Sequence, residues 1–507
     1  MQMAWRVPRH TAMTRLLALL ALVAAPVSAA GQTPPPPPVE ARIAALEPVF
    51  AAWMEAQHVP GLVWGVVKDG RLVFVRGLGV QDLDTRRPVT ADSRFRIASM
   101  SKAFTAMAIL KLADAGRLSL EAPAERYVPE MKGWRYPTSD SRRITVADLL
   151  HHDAGFVEDN PWGDRQQPLG EAAFTAMLRA GVPFANGPGV TMEYSNFGYA
   201  TLGRIVSNVG GAPYQQWIGR QILTPLGMTA TGYDVLAGDQ TQRALGYRWQ
   251  DGGWVREPDM ADGAFGAMGG LQTTARDYAR WVGFLLSAWP ARDGAEMGPV
   301  GRATVRRIVE GGFVTARDRA AGLEPCRQAA SYGMAWFTIN DCDLGRVVTH
   351  TGGYPGFGSV VMLLPDAGIG IFAFANRTYA APTLPVMQAL LALRREGATP
   401  DRAVPVSTGL AAAYDAARTA WRAGDAERAP LAGNVLLDRN AARRRAEIAA
   451  AKADAGDCPM TEPVIPVSAM EGYFIWTCAK GKVAGRVQRA PTPVLSLQVL
   501  DFRASQP

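Results

Sequence analysis

The chain has 507 residues, of which 48% are hydrophobic and 20% are charged, so it can bury a large core and is too long for one domain. Its formal net charge is +7, and the arginines that supply most of this charge are scattered along the chain. Because no basic stripe or known reader motif accompanies the charge, the sequence predicts no nucleic-acid binding.

Residues 1–30 have the pattern of a secretory signal peptide. Three arginines and no acidic residue precede the apolar stretch LLALLALVAAPVSAA, which ends in small residues. This stretch is shorter than the roughly 20 residues that a membrane span needs, and no later run approaches that length. Residues 31–40, GQTPPPPPVE, predict a stiff polyproline linker. We therefore expect an exported mature chain, periplasmic or secreted, without an integral membrane span.

Residues 41–397 predict one α+β domain. A helical pattern, ARIAALEPVFAAWMEAQ, is followed by a hairpin pattern, GLVWGVVKDGRLVFVRGLG, and by a second apolar helix from Met100 to Ala115 that ends at Gly116. After a helix-rich middle section, strand patterns return in SYGMAWFTI, RVVTHTGGYPGFGSVVMLLP and GIGIFAFANR. Strands at both ends of the domain predict an antiparallel sheet, covered by helices, that the returning chain completes.

Residues 398–507 differ in composition from the preceding domain. Helices rich in alanine and arginine come first, and the short strand patterns GYFIWTC, GKVAGRVQRA and VLSLQVLDFR follow. The segment predicts a small C-terminal α+β accessory domain, whose role and partner the sequence does not identify.

The four cysteines are Cys326, Cys342, Cys458 and Cys478. They form no Cys-x-x-Cys motif and have no histidine at a spacing that suits zinc. In an oxidising compartment we expect two disulfides between sequence neighbours, Cys326–Cys342 and Cys458–Cys478.

Ser99 and Lys102 form a candidate pair of nucleophile and base. Lys102 is the only one of the seven lysines with a serine three residues before it. Positions i and i+3 share one face of a helix, so the two side chains can approach hydrogen-bonding distance. Burial would favour a neutral amine that can accept the serine proton. A lone Ser-x-x-Lys is also typical of a solvated turn of helix, so the pair needs further support.

That support comes from the order of three motifs. FRIASMSKAFTAM, EYSNFGYATLG and VVTHTGGYPGFGS resemble the motifs of the serine β-lactamase and penicillin-binding protein superfamily. The nearest branch contains class C β-lactamases, D-alanyl-D-alanine carboxypeptidases and esterases. LLHHDAGF, GAMGGLQTTARDYARW and YGMAWF resemble it too, and the resemblance covers about residues 41–395. It implies a β-lactamase/transpeptidase-like fold and no cofactor.

The resemblance also implies roles for the matching residues. Ser99 matches the acylated nucleophile, and Lys102 matches its proton acceptor. Tyr194 matches the phenol that transfers a proton to the leaving group, and a nearby cation would lower its pKa from about 10. Asn196 matches the amide that orients the acyl side chain of the substrate.

The third motif is His350-Thr351-Gly352-Gly353, where the family usually has Lys-Thr-Gly or His-x-Gly. Gly352 would let substrate lie against the strand. The backbone N–H of Ser99 can help to hold the oxyanion, and the Gly353 N–H would match the second oxyanion donor. The alternative interpretation is that these residues form an ordinary glycine-rich hairpin after a core strand, without a role in the site. With an unperturbed pKa of about 6.5, His350 should become cationic and attract substrate carboxylates as the pH falls from about 8 to 6.

The adjacent His151 and His152 raise the alternative of a metal site. The metallo-β-lactamase pattern is absent, so we expect both to be packing residues and expect no metal. The absence of Gly-x-Ser-x-Gly also argues against a nucleophile-elbow hydrolase.

The sequence therefore predicts a serine hydrolase that forms an acyl-enzyme on Ser99. Its substrates would be small molecules or peptidoglycan-like compounds, namely β-lactams, D-amino-acid peptides or amides, or esters. The alternative is a penicillin-recognising sensor or scaffold that acylates without efficient turnover.

Overall fold

The computed structural model describes residues 37–160 and 162–505. The predicted signal peptide, 1–30, and most of the predicted linker, 31–40, lie outside these residues. The first described helix begins at Val39, inside the predicted linker.

Strands in the described part of the chain form four antiparallel sheets. They are β1 (Gly61–Lys68), β2 (Arg71–Gly79), β3 (Phe95–Arg96), β4 (Tyr247–Gln250), β5 (Gly253–Arg256), β6 (Gln272–Thr273), β7 (Thr315–Asp318), β8 (Arg327–Tyr332), β9 (Phe337–Asp341), β10 (Gly345–Tyr354), β11 (Phe357–Leu364), β12 (Ile369–Ala375), β13 (Ile465–Pro466), β14 (Glu471–Thr477), β15 (Lys482–Arg489) and β16 (Leu497–Ser505).

The α-helices cover the sheets and build the section between β3 and β7. They are α1 (Val39–Ala44), α2 (Glu47–Ala56), α3 (Lys102–Asp114), α4 (Val146–His151), α5 (Glu171–Ala180), α6 (Asn196–Gly210), α7 (Tyr214–Ile218), α8 (Ala275–Leu286), α9 (Arg302–Arg306), α10 (Thr383–Arg395), α11 (Thr408–Ala423), α12 (Val435–Asp438) and α13 (Ala441–Ala455).

The main sheet has the strand order β2-β1-β12-β11-β10-β9-β8-β7. Strand β1 pairs with β12 from Leu62↔Ala375 to Lys68↔Ile369, so the returning chain completes the sheet. This confirms the fold class predicted from the sequence. Every residue of β11 and β12 is buried, because helices cover both faces of the sheet at its centre.

The two faces of β1 pack into different hydrophobic clusters. Leu62, Trp64 and Val66 point to the cluster that includes α2 and α10. Val63 and Val67 point to the cluster that includes α3, α6 and α8. Successive strand side chains alternate between faces, so one apolar strand serves both layers. The helix-rich layer on the second face holds the candidate site.

The residues after 407 form a small α+β unit with its own sheet, β13-β14-β15-β16. Residues of β14 alternate between buried and exposed, because α11 and α13 cover one face. A third hydrophobic cluster, which extends from Leu410 to Leu500, contains residues of this unit alone.

Both expected disulfides are present. Cys326 is bonded to Cys342, and Cys458 is bonded to Cys478. Within residues 37–160 and 162–505, none of the helices has the length and apolar character needed to cross a bilayer.

Candidate active site

The nucleophile lies in a short 3₁₀ turn, Ala98–Ser101, immediately before α3. The predicted helix started at Met100, whereas the α-helix starts at Lys102. Strand β3 holds the turn through its pairing with β6, and the Ile97 N–H donates to the Leu271 carbonyl at 3.0 Å. Ala98 has a φ of +48°, which turns the chain sharply before Ser99. Ser99 is only 8% exposed.

Lys102 is fully buried, and its Nζ contacts three oxygens. It lies 3.1 Å from Ser99 Oγ, 2.7 Å from Asn196 Oδ1 and 2.8 Å from the Met268 carbonyl. The amide and carbonyl oxygens can only accept, so they engage both N–H groups of a neutral amine. The lone pair then remains for the Ser99 hydroxyl, which is the geometry a general base needs.

Burial lowers the pKa of Lys102 from 10.5 to about 7, and the carboxylates of Asp164 and Asp159 partly oppose this effect. A substantial fraction of the amine is therefore neutral near pH 7. The pair that the sequence singled out has both the distance and the protonation state for proton transfer.

Tyr194 lies just before α6, and its ring centroid is 4.9 Å from Lys102 Nζ. Burial raises the pKa of Tyr194 well above 10, although a hydrogen bond with Ser99 lowers it. The expectation that a nearby cation lowers this pKa is wrong, because burial raises it and the nearby acidic groups Asp164 and Asp159 raise it further. Tyr194 is a neutral phenol in this structure and can donate a hydrogen bond to Ser99.

Asn196 is the first residue of α6, and both ends of its amide have partners. Its Oδ1 accepts from Lys102, and its Nδ2 donates to Asn160 Oδ1 at 2.6 Å. Its backbone N–H and that of Phe197 donate to the Asp159 carboxylate at 2.7 and 2.8 Å. Asp159 therefore satisfies the helix N-terminus. Orientation of substrate by Asn196 stays a prediction and would require release of Asn160.

Strand β10 forms the opposite side of the site. Its pairing with β9 ends at Thr349, so the segment from His350 onward pairs only with β11 and has one free edge. A Cβ at Gly352 would collide with the Ile97 carbonyl and the Ser359 hydroxyl. Glycine is therefore required there for β10 to approach the Ser99 turn. Thr351 is exposed, and Gly353 lies farther along the free edge.

His350 is buried and hydrogen-bonded on both sides. Its Nε2 is 3.1 Å from the Tyr332 hydroxyl, and its Nδ1 is 2.6 Å from the Thr351 carbonyl, which must accept. Burial and the nearby Lys102 lower the pKa of His350 to about 3. The prediction that His350 becomes cationic between pH 8 and 6 is therefore wrong. Its imidazole is neutral throughout that range.

His152 also lies beside the site as a buried, neutral ring. Its Nδ1 accepts the Ser195 N–H at 3.0 Å, and its ring centroid lies 4.2 Å from that of Tyr194. Burial lowers its pKa well below 6.5. In the described residues, no three His, Cys, Asp or Glu side chains are arranged to hold a metal ion.

The Beta-lactamase family model matches residues 46–396, which is more than half of the chain. The chain belongs to the Beta-lactamase family. Protein flp of Staphylococcus aureus (strain N315) is 29% identical over 332 residues, which cover 64% of this chain and 61% of that protein. The chain thus spans less than two thirds of this relative. An uncharacterized protein of Mycobacterium tuberculosis, MT1414, is 35% identical over 256 residues, 46% of this chain and 63% of that protein.

Solved structures have the same fold at low sequence identity. A class C beta-lactamase has a TM-score of 0.57 at 20% identity, over 72% of this chain and 98% of that one. D-alanine carboxypeptidase AmpC from Burkholderia cenocepacia has a TM-score of 0.54 at 24% identity, over 71% and 100%. The penicillin-binding protein homologue from Pyrococcus abyssi has a TM-score of 0.57 at 21% identity, over 88% and 96%.

Several groups in this β-lactamase-family site were not singled out from the sequence. Met268 contributes only a backbone carbonyl, which no residue type reveals. Asp159 and Asp164 act on Lys102 through space, and the segment EDNPWGD that contains them matches no quoted motif. The sequence indicated them only through their position, a few residues after the LLHHDAGF motif.

An apolar cavity of about 330 Å³ borders the same segment. Phe156, Trp162 and Phe197 line it, and Asp159 and Ser195 lie where it meets the segment that carries Tyr194. The acidic segment and the N-terminus of α6 thus line the same cavity.

Proposed function

We propose that this protein is an exported serine hydrolase that works through an acyl-enzyme on Ser99. The observation that carries the proposal is the set of three contacts of Lys102. They place a partly neutral amine against the Ser99 hydroxyl, with both N–H groups engaged elsewhere. A surface Ser/Lys turn would have neither the burial nor these contacts.

In the proposed reaction, Ser99 Oγ attacks the substrate carbonyl carbon while its proton passes to Lys102. The Ser99 and Gly353 N–H groups stabilise the oxyanion. Tyr194 gives its proton to the leaving group and regains one from Lys102. The bond to the leaving group breaks, and the acyl group stays on Ser99. Water then attacks the ester, which releases the acid and restores the Ser99 hydroxyl.

The proposed substrates are esters, D-amino-acid amides or peptides, and β-lactams, including peptidoglycan-like compounds. Two structural neighbours, a class C beta-lactamase and a D-alanine carboxypeptidase, support this range. The neutral His350 favours uncharged substrates over carboxylates, because it supplies no positive charge to the free edge of β10. Export through cleavage near residue 30 is part of the proposal, and N-terminal sequencing of the mature protein tests it.

Intact-mass spectrometry during turnover of a p-nitrophenyl ester and of a penicillin tests the function. We expect a transient adduct of the acyl mass, located on Ser99, that disappears as product forms. A permanent adduct would support the alternative, a penicillin-recognising sensor or scaffold. Turnover by Ser99→Ala at the wild-type rate would disprove the assignment of the nucleophile.

A further inference from the structure

Tyr379 lies over the end of β10 that contains Gly353. Its backbone φ is +55°, and its N–H donates to the Phe357 carbonyl at 3.2 Å, so the residue is fixed to the β10–β11 hairpin. A Cβ at Gly353 would lie 2.7 Å from Tyr379 Cδ1. The ring thus packs directly on the glycine whose N–H we assign to the oxyanion.

The hydroxyl of Tyr379 extends to the opposite side of the site. It donates to Asp164 Oδ2 at 3.0 Å, and Asp164 is only 2% exposed. Asp164 lies in the 3₁₀ turn Gly163–Gln166, which packs tightly on Asn196. A Cβ at Gly163 would be 2.6 Å from Asn196 Cβ, and the Asn160 side chain bonds the Asn196 amide.

These contacts make a Tyr379–Asp164 bridge between the strand side and the helix side of the site. Tyr379 is 43% exposed, whereas Ser99 is 8% exposed, so the tyrosine is an accessible side chain at a site whose nucleophile is covered. Asn196 is the residue predicted to orient the acyl side chain. Because the 3₁₀ turn that holds Asp164 packs on Asn196, the bridge lies on the acyl side.

We propose that the Tyr379–Asp164 bridge determines acyl-group specificity and admits compact acyl groups to Ser99. This inference rests on the proposed hydrolase function. A bulky acyl group beside Gly353 requires the tyrosine ring to move away, which breaks the hydrogen bond. The buried Asp164 would then lose a donor, and an unpaired buried carboxylate is costly. A compact acyl group binds without this cost.

The test compares p-nitrophenyl acetate with p-nitrophenyl octanoate, which share one leaving group and differ in acyl length. In Tyr379→Gly, which accepts the positive φ without strain, the octanoate-to-acetate ratio of kcat/KM should rise about tenfold. The gain should appear mainly in KM for octanoate. The matched control is Tyr473→Phe, at a tyrosine that is 45% exposed on β14, and its ratio should equal that of wild type.

Two smaller changes test the hydrogen bond itself. Tyr379→Phe keeps the ring, and Asp164→Ala keeps the tyrosine, so each should raise the ratio about threefold. The double variant should give no further increase, because either change removes the same bond. Any effect of Asp164 on Lys102 cancels in the ratio, since both esters use one base.

The outcomes separate the two proposals. If wild type and Ser99→Ala hydrolyse both esters equally, the hydrolase function is wrong and the specificity inference falls with it. If wild type is active through Ser99 but Tyr379→Gly and Tyr379→Phe both have the octanoate-to-acetate ratio of wild type, the bridge does not select the acyl group. Tyr379→Phe decides the question if Tyr379→Gly does not fold.

Discussion

Lys102 and His350 are two buried nitrogen bases on opposite sides of one site, and their protonation differs. Both lose solvation, with exposed fractions of 0% and 2%. Lys102 has Asp164 and Asp159 nearby, which partly restore its pKa to about 7, whereas His350 has Lys102 nearby, which lowers its pKa further to about 3. Burial thus lowers both pKa values by a similar amount, so the higher ordinary pKa of the lysine decides which base titrates in the physiological range.

The largest expected effect comes from removing either the nucleophile, Ser99, or its base, Lys102. Ser99→Ala and Lys102→Ala should each reduce kcat/KM for a small ester by at least about 10³-fold, because nucleophile and base act as a unit. Stopped-flow acylation and steady-state assays measure this loss. Lys111→Ala is the control, since it removes an amine from the same helix at a site remote from Ser99. Comparable losses in Lys102→Ala and Lys111→Ala would contradict the role of Lys102.

His350, which is neutral in the physiological range, should affect the stability of the protein in acid. The folded pKa of His350 lies below its unfolded value of about 6.5, so the unfolded chain binds the extra proton. Its contribution to the free energy of unfolding is lost as the pH falls through the window from about 6.5 to 3. The loss is about 1.4 kcal/mol per pH unit.

His350→Gln removes this dependence. Urea unfolding of both proteins at a series of pH values should show a shallower decline in the variant below about pH 6. Parallel curves for wild type and variant would show that His350 is not held neutral.

A change of charge beside Lys102 should move the pH profile of the reaction. With a neutral ester, kcat/KM should rise with pH through about 7, since the neutral amine is the base. Asp164 raises the pKa of Lys102, so Asp164→Asn should shift the midpoint of this rise to lower pH. The exposed Asp454 provides the control, and Asp454→Asn should leave the midpoint in place. A shift to higher pH would contradict the assigned electrostatics.

Removal of the C-terminal unit should have the smallest effect on the two bases. A chain that ends at Arg402 keeps the contacts of that residue with the carbonyls of Leu286 and Pro365. It loses the separate hydrophobic cluster that begins at Leu410. We expect kcat/KM for a small ester to stay within about twofold of the full chain. A folded but inactive truncated chain would show that the C-terminal unit completes the site.

Much of the fold could be predicted from local sequence patterns. The hairpin around Lys68–Gly70, the strands after residue 330 and the three final strands all carry apolar alternation or apolar runs, and all are present. The two-residue pair β3–β6 was not predicted, because such short strands carry no periodic signal. Ser99 lies at the start of the helix, as predicted, but in a 3₁₀ turn, and the α-helix begins only at Lys102.

The sequence by itself determined the order of the motifs, the pairing of cysteines between near neighbours, and the Ser99–Lys102 spacing. These features can be read from short stretches of the sequence. The tertiary structure decided the protonation of Lys102, Tyr194 and His350. Desolvation and Coulomb interactions depend on every group packed around a site, and here those groups come from segments as distant as Asp159, Asn196 and Met268. The spacing of residues within one segment does not reveal these interactions. The sequence therefore identified the nucleophile, but the pKa values of His350 and Tyr194 were predicted wrongly.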